Sequence, residues 1–245
     1  MRKPYWHGLL LVIASLGLVL SACRPSAGVH FFAEGQPKTL DEWGVLRIED
    51  GKLHLNQGVV PYDLNTPLFS DYAHKLRTVW MPEGTSATYQ PEQSFDFPVG
   101  TVLSKTFYYP LPAGTAWDGK SVARTPPSHS SLEGEALDLA KVRLIETRLL
   151  VHRAEGWVAL PYVWNEAQTQ ATLRRTGELV TLDLVDAAGA RETAEYQVPD
   201  QNQCGGCHIT DNKSRKLLPI GPKVRHLNRD FDCAGGRENQ LAHLV

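Results

Sequence analysis

The chain has 245 residues, with 25 Lys and Arg against 27 Asp and Glu, for a formal net charge of −2. So even a balance leaves no basic face for nucleic acid, and four cysteines are too few for a disulfide-built scaffold. The length allows one sizeable core, or a main domain with a small appendage.

The chain opens with Met1-Arg2-Lys3 and an apolar run from Leu9 to Leu20, too short to span comfortably as a permanent helix. Small residues then lead into Cys23, and Leu20-Ser21-Ala22-Cys23 resembles a lipobox. The resemblance to bacterial lipoproteins implies a signal peptide over residues 1–22, cleavage before Cys23, and diacylation of its thiol. Acyl chains would hold a water-soluble domain on a membrane surface. Arg24 in second position implies the outer rather than the inner membrane. The rival reading is an ordinary secretory signal with an accidental Cys, which still exports the protein. Losing Arg2 and Lys3 leaves 223 residues and takes the charge from −2 to −4. No other run in the sequence is long or apolar enough to cross a bilayer.

Residues 23–37 read as a tether, and Thr39 to Trp43 as one helical turn. Alternation then takes over. Val45 to Glu49 and Leu53 to Val60 flank a Gly51-Lys52 turn, while Leu76 to Trp80 and Phe95 to Tyr109 read as further strands. Pro110 to Ala140, rich in Pro, Gly and Ser, reads as a long surface loop with at most a short helix. Ile145 to Val151 turns at Ala154-Glu155-Gly156 and returns as Trp157 to Trp164. A last pair flanks Asp186-Ala187-Ala188-Gly189. Residues 38–199 are thus expected to be an antiparallel β domain, a β-sandwich or half-open barrel. Residues 200–245 read as a short, mainly helical or irregular segment.

That segment carries Cys204-Gly205-Gly206-Cys207-His208, a C-x-x-C-H. Two thiols three positions apart reach both vinyl groups of one haem while the adjoining imidazole meets the iron, so an exported chain with this motif is expected to carry one covalent haem c. C-x-x-C alone also fits a thiol redox couple, half a zinc site or a disulfide. The remaining thiols are Cys23 and Cys233, the latter expected to be buried and unpaired. Only 37 residues follow His208, too few to enclose a haem, so the β sheet is expected to supply one wall of its pocket. Elsewhere, Asp71 and His74 have no nucleophile partner, and Glu133, Glu135 and Asp138 read as a solvated acidic patch. His54, His74, His129 and His152 lack ligand spacing.

The motif segment resembles a reduced class I cytochrome c. By that resemblance a proline carbonyl accepts a hydrogen bond from the proximal imidazole, and Pro222 is the candidate. A distal Met is missing, since no Met follows Met81. The sixth position therefore falls to His226, His243 or Met81, or stays open, and Arg225 is placed to meet a haem propionate. The order Gly-Thr-Val-x-x-Lys, a Trp-bearing strand and then C-x-x-C-H is similar to hydroxylamine-oxidising cytochromes. That similarity implies that Lys105 approaches the porphyrin, while an edge-strand Lys explains the same letter. Trp80, Trp157 and Trp164 read as core residues that could also reach the ring.

Four longer stretches, Pro61 to Ala73, Phe97 to Phe107, Tyr162 to Asn165 and Leu227 to Phe231, resemble a group of exported bacterial haem proteins described as conserved hypothetical proteins or diheme c-type cytochromes. The likeness covers nearly all of residues 38–243. It implies electron transfer with a redox protein partner in the periplasm or at the cell surface. Members of that group continue further and carry a second C-x-x-C-H; this sequence has one, so one haem is expected. The rival functions are a haem enzyme with an open distal site, acting on peroxide or a small nitrogen compound, and a surface binding lipoprotein without haem.

Overall fold

The computed structural model describes residues 28–126, 136–233 and 236–244. Cys23, His129, Glu133 and Glu135 lie outside them, as do the side chains of Cys233 and His243. The molecule is mainly β with antiparallel sheets, and among the described residues no sheet closes into a barrel. At its centre is a six-stranded sheet ordered β10-β9-β8-β5-β4-β3. Its strands are β3 (Val60–Tyr62), β4 (His74–Trp80), β5 (Val102–Pro110), β8 (Val142–Arg153), β9 (Gly156–Trp164) and β10 (Ala171–Leu173). β5 and β8 are the long members, rich in the β-branched and aromatic residues that suit a pleated, buried surface.

Two three-stranded sheets flank this one. The first is ordered β1 (Leu46–Glu49), β2 (Lys52–Leu55), β7 (Ala136–Asp138). Its Leu46, Leu53 and Leu137 join Leu76, Val102, Leu149 and Leu160 in one buried cluster. The second joins β12 (Arg191–Val198), β11 (Glu178–Val185) and β6 (Ser121–Ala123). It packs Leu182, Leu184 and Tyr196 on Phe107, Tyr109 and Val163. Phe107 and Tyr109 lie on the face of β5 opposite Val102 and Tyr108, as the two-residue side-chain period of a strand requires.

Three expectations are corrected here. The Pro110 to Ala140 stretch contains β6 and β7. β6 pairs parallel with β11 and buries Val122; a three-residue strand is too short to show a period in sequence. Of the tether, residues 28–37 pack onto the fold: Phe31 and Phe32 cover the first cluster, and the Tyr162 hydroxyl donates to the Pro37 carbonyl at 3.1 Å. The expected helical turn is a 3₁₀ turn, Asp41–Trp43, whose Trp43 is fully buried and donates from Nε1 to the Tyr162 hydroxyl at 2.8 Å.

The C-terminal segment lies against the half of the central sheet that β11 and β12 leave uncovered. Cys204, Leu217, Leu227 and Leu241 pack in a third cluster with Tyr62, Leu103, Leu150 and Ala159. The segment contains helices α1 (Cys204–His208), α2 (Val224–Leu227) and α3 (Gln240–Leu244), and a hairpin of β13 (Asp230–Cys233) with β14 (Gly236–Asn239) that alternation did not reveal. Gln240 clamps it to β3: Oε1 accepts from the Asp63 N–H at 2.7 Å, and Nε2 donates to the Asp63 and Leu227 carbonyls at 3.0 and 3.1 Å. Among the described residues no helix is long and apolar enough to cross a membrane.

Candidate functional site

A cavity of about 620 Å³ lies between the C-terminal segment and the central sheet. This is within the range of pockets that hold cofactor-sized ligands, roughly 300–1,000 Å³. Cys204, Cys207, His208, Pro222, His226 and Lys105 all line it, so residues more than a hundred positions apart in sequence share one chamber. Met81 does not line it; it is partly buried in the third cluster. Trp80, Trp157 and Trp164 do not line it either. Trp164 donates to Thr147 Oγ1 on the other face, and Trp157 stacks on His152 with ring centroids 4.5 Å apart.

Asp200 and Gln201 set α1 in place. The Asp200 carboxylate accepts from the N–H groups of Asn202 and Gln203 at 2.7 and 2.9 Å, supplying partners to donors that open the helical turn. Gln201 donates from Nε2 to the Ala159 carbonyl at 3.0 Å, tying the turn to β9. Both thiols of α1 are free. Burial pushes the Cys204 thiol pKa up, with Arg148 and Lys105 pulling the other way.

After α1 the chain doubles back through an isolated Ile209–Leu217 bridge. That brings Leu218 beside His208, and the two exchange hydrogen bonds: the Leu218 N–H donates to the His208 carbonyl at 2.9 Å, and His208 Nδ1 lies 2.7 Å from the Leu218 carbonyl. A carbonyl can only accept, so Nδ1 carries the proton and Nε2 presents its lone pair. Burial, and secondarily Lys105 and Arg148, lower the pKa of this imidazole against the opposing effect of the Leu218 bond, which favours the neutral, ligating form. The proximal-type hydrogen bond therefore goes to Leu218 rather than to Pro222. The carbonyl of Pro222 accepts from the Phe95 N–H at 3.1 Å instead, because the bridge closes the loop four residues earlier than proline spacing suggests.

His226 reaches the cavity from α2. Asn65 holds that turn, its Nδ2 donating to the Arg225 and Asn228 carbonyls at 2.9 and 3.1 Å. His226 Nδ1 lies 2.9 Å from the Thr66 hydroxyl, so its outer nitrogen Nε2 is the one left for a ligand. Burial, then Arg225 and Lys223, lower its pKa. Arg225 Nη1 donates to the Glu92 carbonyl at 3.5 Å, and the residue does not line the cavity.

The sheet side of the cavity carries charges that sequence reasoning reached only at Lys105. Arg77 on β4, Lys105 on β5 and Arg148 on β8 are direct cross-strand neighbours, and Lys75 lies one same-face step from Arg77. All four line the cavity, and no Asp or Glu does among the described residues. Lys105 is therefore a central-strand residue and not a guard on a sheet edge. The Arg148 and Lys105 cations lie 4.4 and 5.2 Å from the centroid of the Phe107 ring. Charged letters inside the strands Leu76-Arg77-Thr78 and Thr147-Arg148-Leu149 were the available sign, since a buried strand with an interior cation needs a reason.

Two buried carboxylates stand behind this row. Asp63 accepts from Arg77 at 2.7 Å and from Arg229 at 3.4 Å. Glu146, fully buried, accepts from Arg148 Nε and Nη2 at 2.8 and 2.5 Å and from the Tyr196 hydroxyl at 2.6 Å. Lys75 donates to the Leu68 carbonyl. The Lys105 amine has no hydrogen bond or ion pair among the described residues. Burial foremost, with Arg148, Arg77 and Lys75 adding repulsion, takes its pKa down to about 7; burial and the neighbouring arginines take Lys75 to about 8.

Comparison with protein-family models, curated proteins and solved structures returns no match, so the functional argument rests on this geometry. The fold and site together define a mainly β protein with a cation-walled cavity closed by a C-x-x-C-H helix. Among the described residues no group of three or more His, Cys, Asp or Glu side chains is arranged to hold a metal ion.

Proposed function

We propose that the chain is an exported, lipid-anchored c-type cytochrome that holds one covalent haem and relays electrons in the periplasm or at the outer membrane. The observation that carries this reading is His208. Its Nδ1 proton is committed to the Leu218 carbonyl, its Nε2 is free, and it sits on the same short helix as two free thiols at a cavity of cofactor size. In this reading Cys204 and Cys207 would hold the group through thioether links and His208 would ligate its iron, with the Leu218 bond fixing the ring and raising its basicity. The group, when bound, supplies a one-electron iron couple tuned by ligation and burial. Leu103, Leu150, Ala159 and Ile220 line the cavity and give it an apolar part. His226 is the proposed sixth ligand in preference to Met81, because it alone of the two lines the cavity. The β domain acts as a half-open wall, and residues 200–245 act as a reduced cytochrome c segment laid against it. Anchoring at Cys23 and a redox protein partner complete the proposal.

A second reading, a haem enzyme with an open distal site, is favoured by one observation: the unpartnered Lys105 amine faces the cavity, where a substrate would sit. One experiment separates the two. The protein is produced with the cytochrome c maturation machinery, and its pyridine haemochrome and visible spectra are recorded oxidised, reduced and under carbon monoxide. One covalent, six-coordinate haem inert to carbon monoxide is the expected result. A five-coordinate haem that binds carbon monoxide selects the enzyme, and a chain without covalent haem overturns both. Cys204→Ala with Cys207→Ala should remove the covalent attachment, and Cys23→Ala should remove acylation.

A further inference from the structure

The cation row demands an explanation that the fold does not supply. Like charges directly opposite on neighbouring strands destabilise a sheet, and here Arg77, Lys105 and Arg148 sit side by side across three strands. The two carboxylates behind them do not balance the account. Asp63 is shared between Arg77 and Arg229, and Glu146 is used by Arg148, so neither Lys75 nor Lys105 has an ion-pair partner among the described residues. Lys105 is the least provided for: it keeps some accessible surface, which opens onto the cavity, and its amine touches no acceptor. An ammonium in such a place loses hydration, and the Phe107 ring and the nearby Glu146 charge offset only part of that loss, so an oxygen brought by a ligand would restore what is missing.

We infer that the Arg77–Lys105–Arg148 row is a carboxylate-binding site, with Lys105 as the residue that contacts the bound anion. Arg77 and Arg148 are each oriented by a buried carboxylate, which fixes their planes and leaves positive field on the cavity side. Lys105 stands between them on the middle strand, within the lining, and can deliver a charge-assisted hydrogen bond to an oxygen placed over the row. The carboxylate has two sources: the propionate groups of a tetrapyrrole held by Cys204 and Cys207, or a small free carboxylate that enters the cavity. The inference rests on the charge of the polypeptide and stands without the haem.

The test uses the full chain produced without covalent haem, as wild type and as Lys105→Met, which keeps the length of the side chain and removes its charge. In one arm haemin and its dimethyl ester, in which both propionates are masked, are titrated optically. Haemin should bind about tenfold tighter than the ester in the wild type, the worth of one charge-assisted hydrogen bond, and the ratio should approach one in Lys105→Met. In the other arm the thermal midpoint is followed in succinate against chloride at equal ionic strength. A midpoint rise with succinate in the wild type that Lys105→Met lacks assigns the row to a free carboxylate. Either Lys105-dependent response supports the site and names its source. If the acid-to-ester ratio and the succinate response are the same in both chains, the inference falls. A row that merely served the fold would leave Lys105→Met less stable than wild type without ligand; a ligand site makes the ligand-free variant the more stable of the two. A chain shown by its haemochrome to carry no haem removes the proposed function and leaves the succinate arm standing.

Discussion

The two faces of β5 show how differently one strand can treat polar groups. On one face Ser104 lies 2.6 Å from Thr78 and Thr106 lies 2.8 Å from Thr147, whose hydroxyl also accepts from Trp164 Nε1 at 3.0 Å. Every one of these groups is buried and finds its partner within the sheet or the core it faces. On the other face Lys105 has no such partner, and its neighbours Arg77 and Arg148 depend on carboxylates from other positions. The packed face satisfies its own polar atoms, as a face built for stability must. The cavity face carries a charge that stability alone would not select. Unpaired charge next to a chamber, and not burial alone, is what separates a site from a core in this molecule.

The comparison is broken most severely at the carboxylates behind the row. Glu146→Gln preserves shape and leaves the half-buried Arg148 without its counter-charge. The loss of one partner of a fully buried pair costs about 3–5 kcal/mol; Arg148 keeps 29% of its side chain accessible, so the ligand-free variant should lose about 2–3 kcal/mol in a denaturant titration with an unchanged m-value. A loss under about 1 kcal/mol would mean that Arg148 reaches water through the cavity and that the row is solvated.

On the packed face the penalty is smaller and should be partly recoverable. Thr147→Val removes the acceptor of Trp164 Nε1 and the partner of Thr106, leaving two buried polar groups to cost about 2 kcal/mol together. Adding Thr106→Val removes one of those orphans, so the double variant should be more stable than the sum of the two singles predicts. Additive losses would show that the threonines are not coupled and that the face is looser than its hydrogen bonds indicate.

Much of this was legible in the chain. The hairpins β1–β2, β8–β9 and β11–β12 follow from alternation interrupted at Gly51, Gly156 and Gly189, and the C-x-x-C-H stands out by its spacing. Resemblance and reach point Lys105 and His226 toward the C-x-x-C-H, and both line the cavity with it. What stayed hidden depends on long-range registry. Nothing local marks Arg77 and Arg148 as neighbours of Lys105, because their adjacency is set by the pairing of three strands with 28 and 43 residues of separation from it. Leu218 was missed for a related reason. Its role belongs to a backbone carbonyl, which any residue carries, so only the Ile209–Leu217 bridge reveals it.

The last effect concerns protons. In the ligand-free fold Lys105 has a pKa of about 7 against an ordinary 10.5, and Lys75 about 8. Between these values the unfolded chain binds more protons than the folded one, so stability should rise with pH from about 7 upward. Histidine adds in the same direction at the lower edge of the window: burial lowers the pKa values of His54, His74, His208 and His226, so their contribution also rises with pH and is complete only about one unit above the ordinary 6.5. Near pH 10 the trend should reverse. Burial raises Tyr62 and Tyr108 to about 12, so the folded state then keeps protons that the unfolded chain gives up. Thermal midpoints of the ligand-free chain at constant ionic strength should therefore climb between pH 7 and 10, and Lys105→Met should flatten the climb to the part that Lys75 supplies. An anion on the row would restore the ordinary lysine pKa and flatten it too. If the ligand-free wild type is as flat as the variant, the amine is solvated, and the contrast between the two faces of β5 is smaller than their contacts imply.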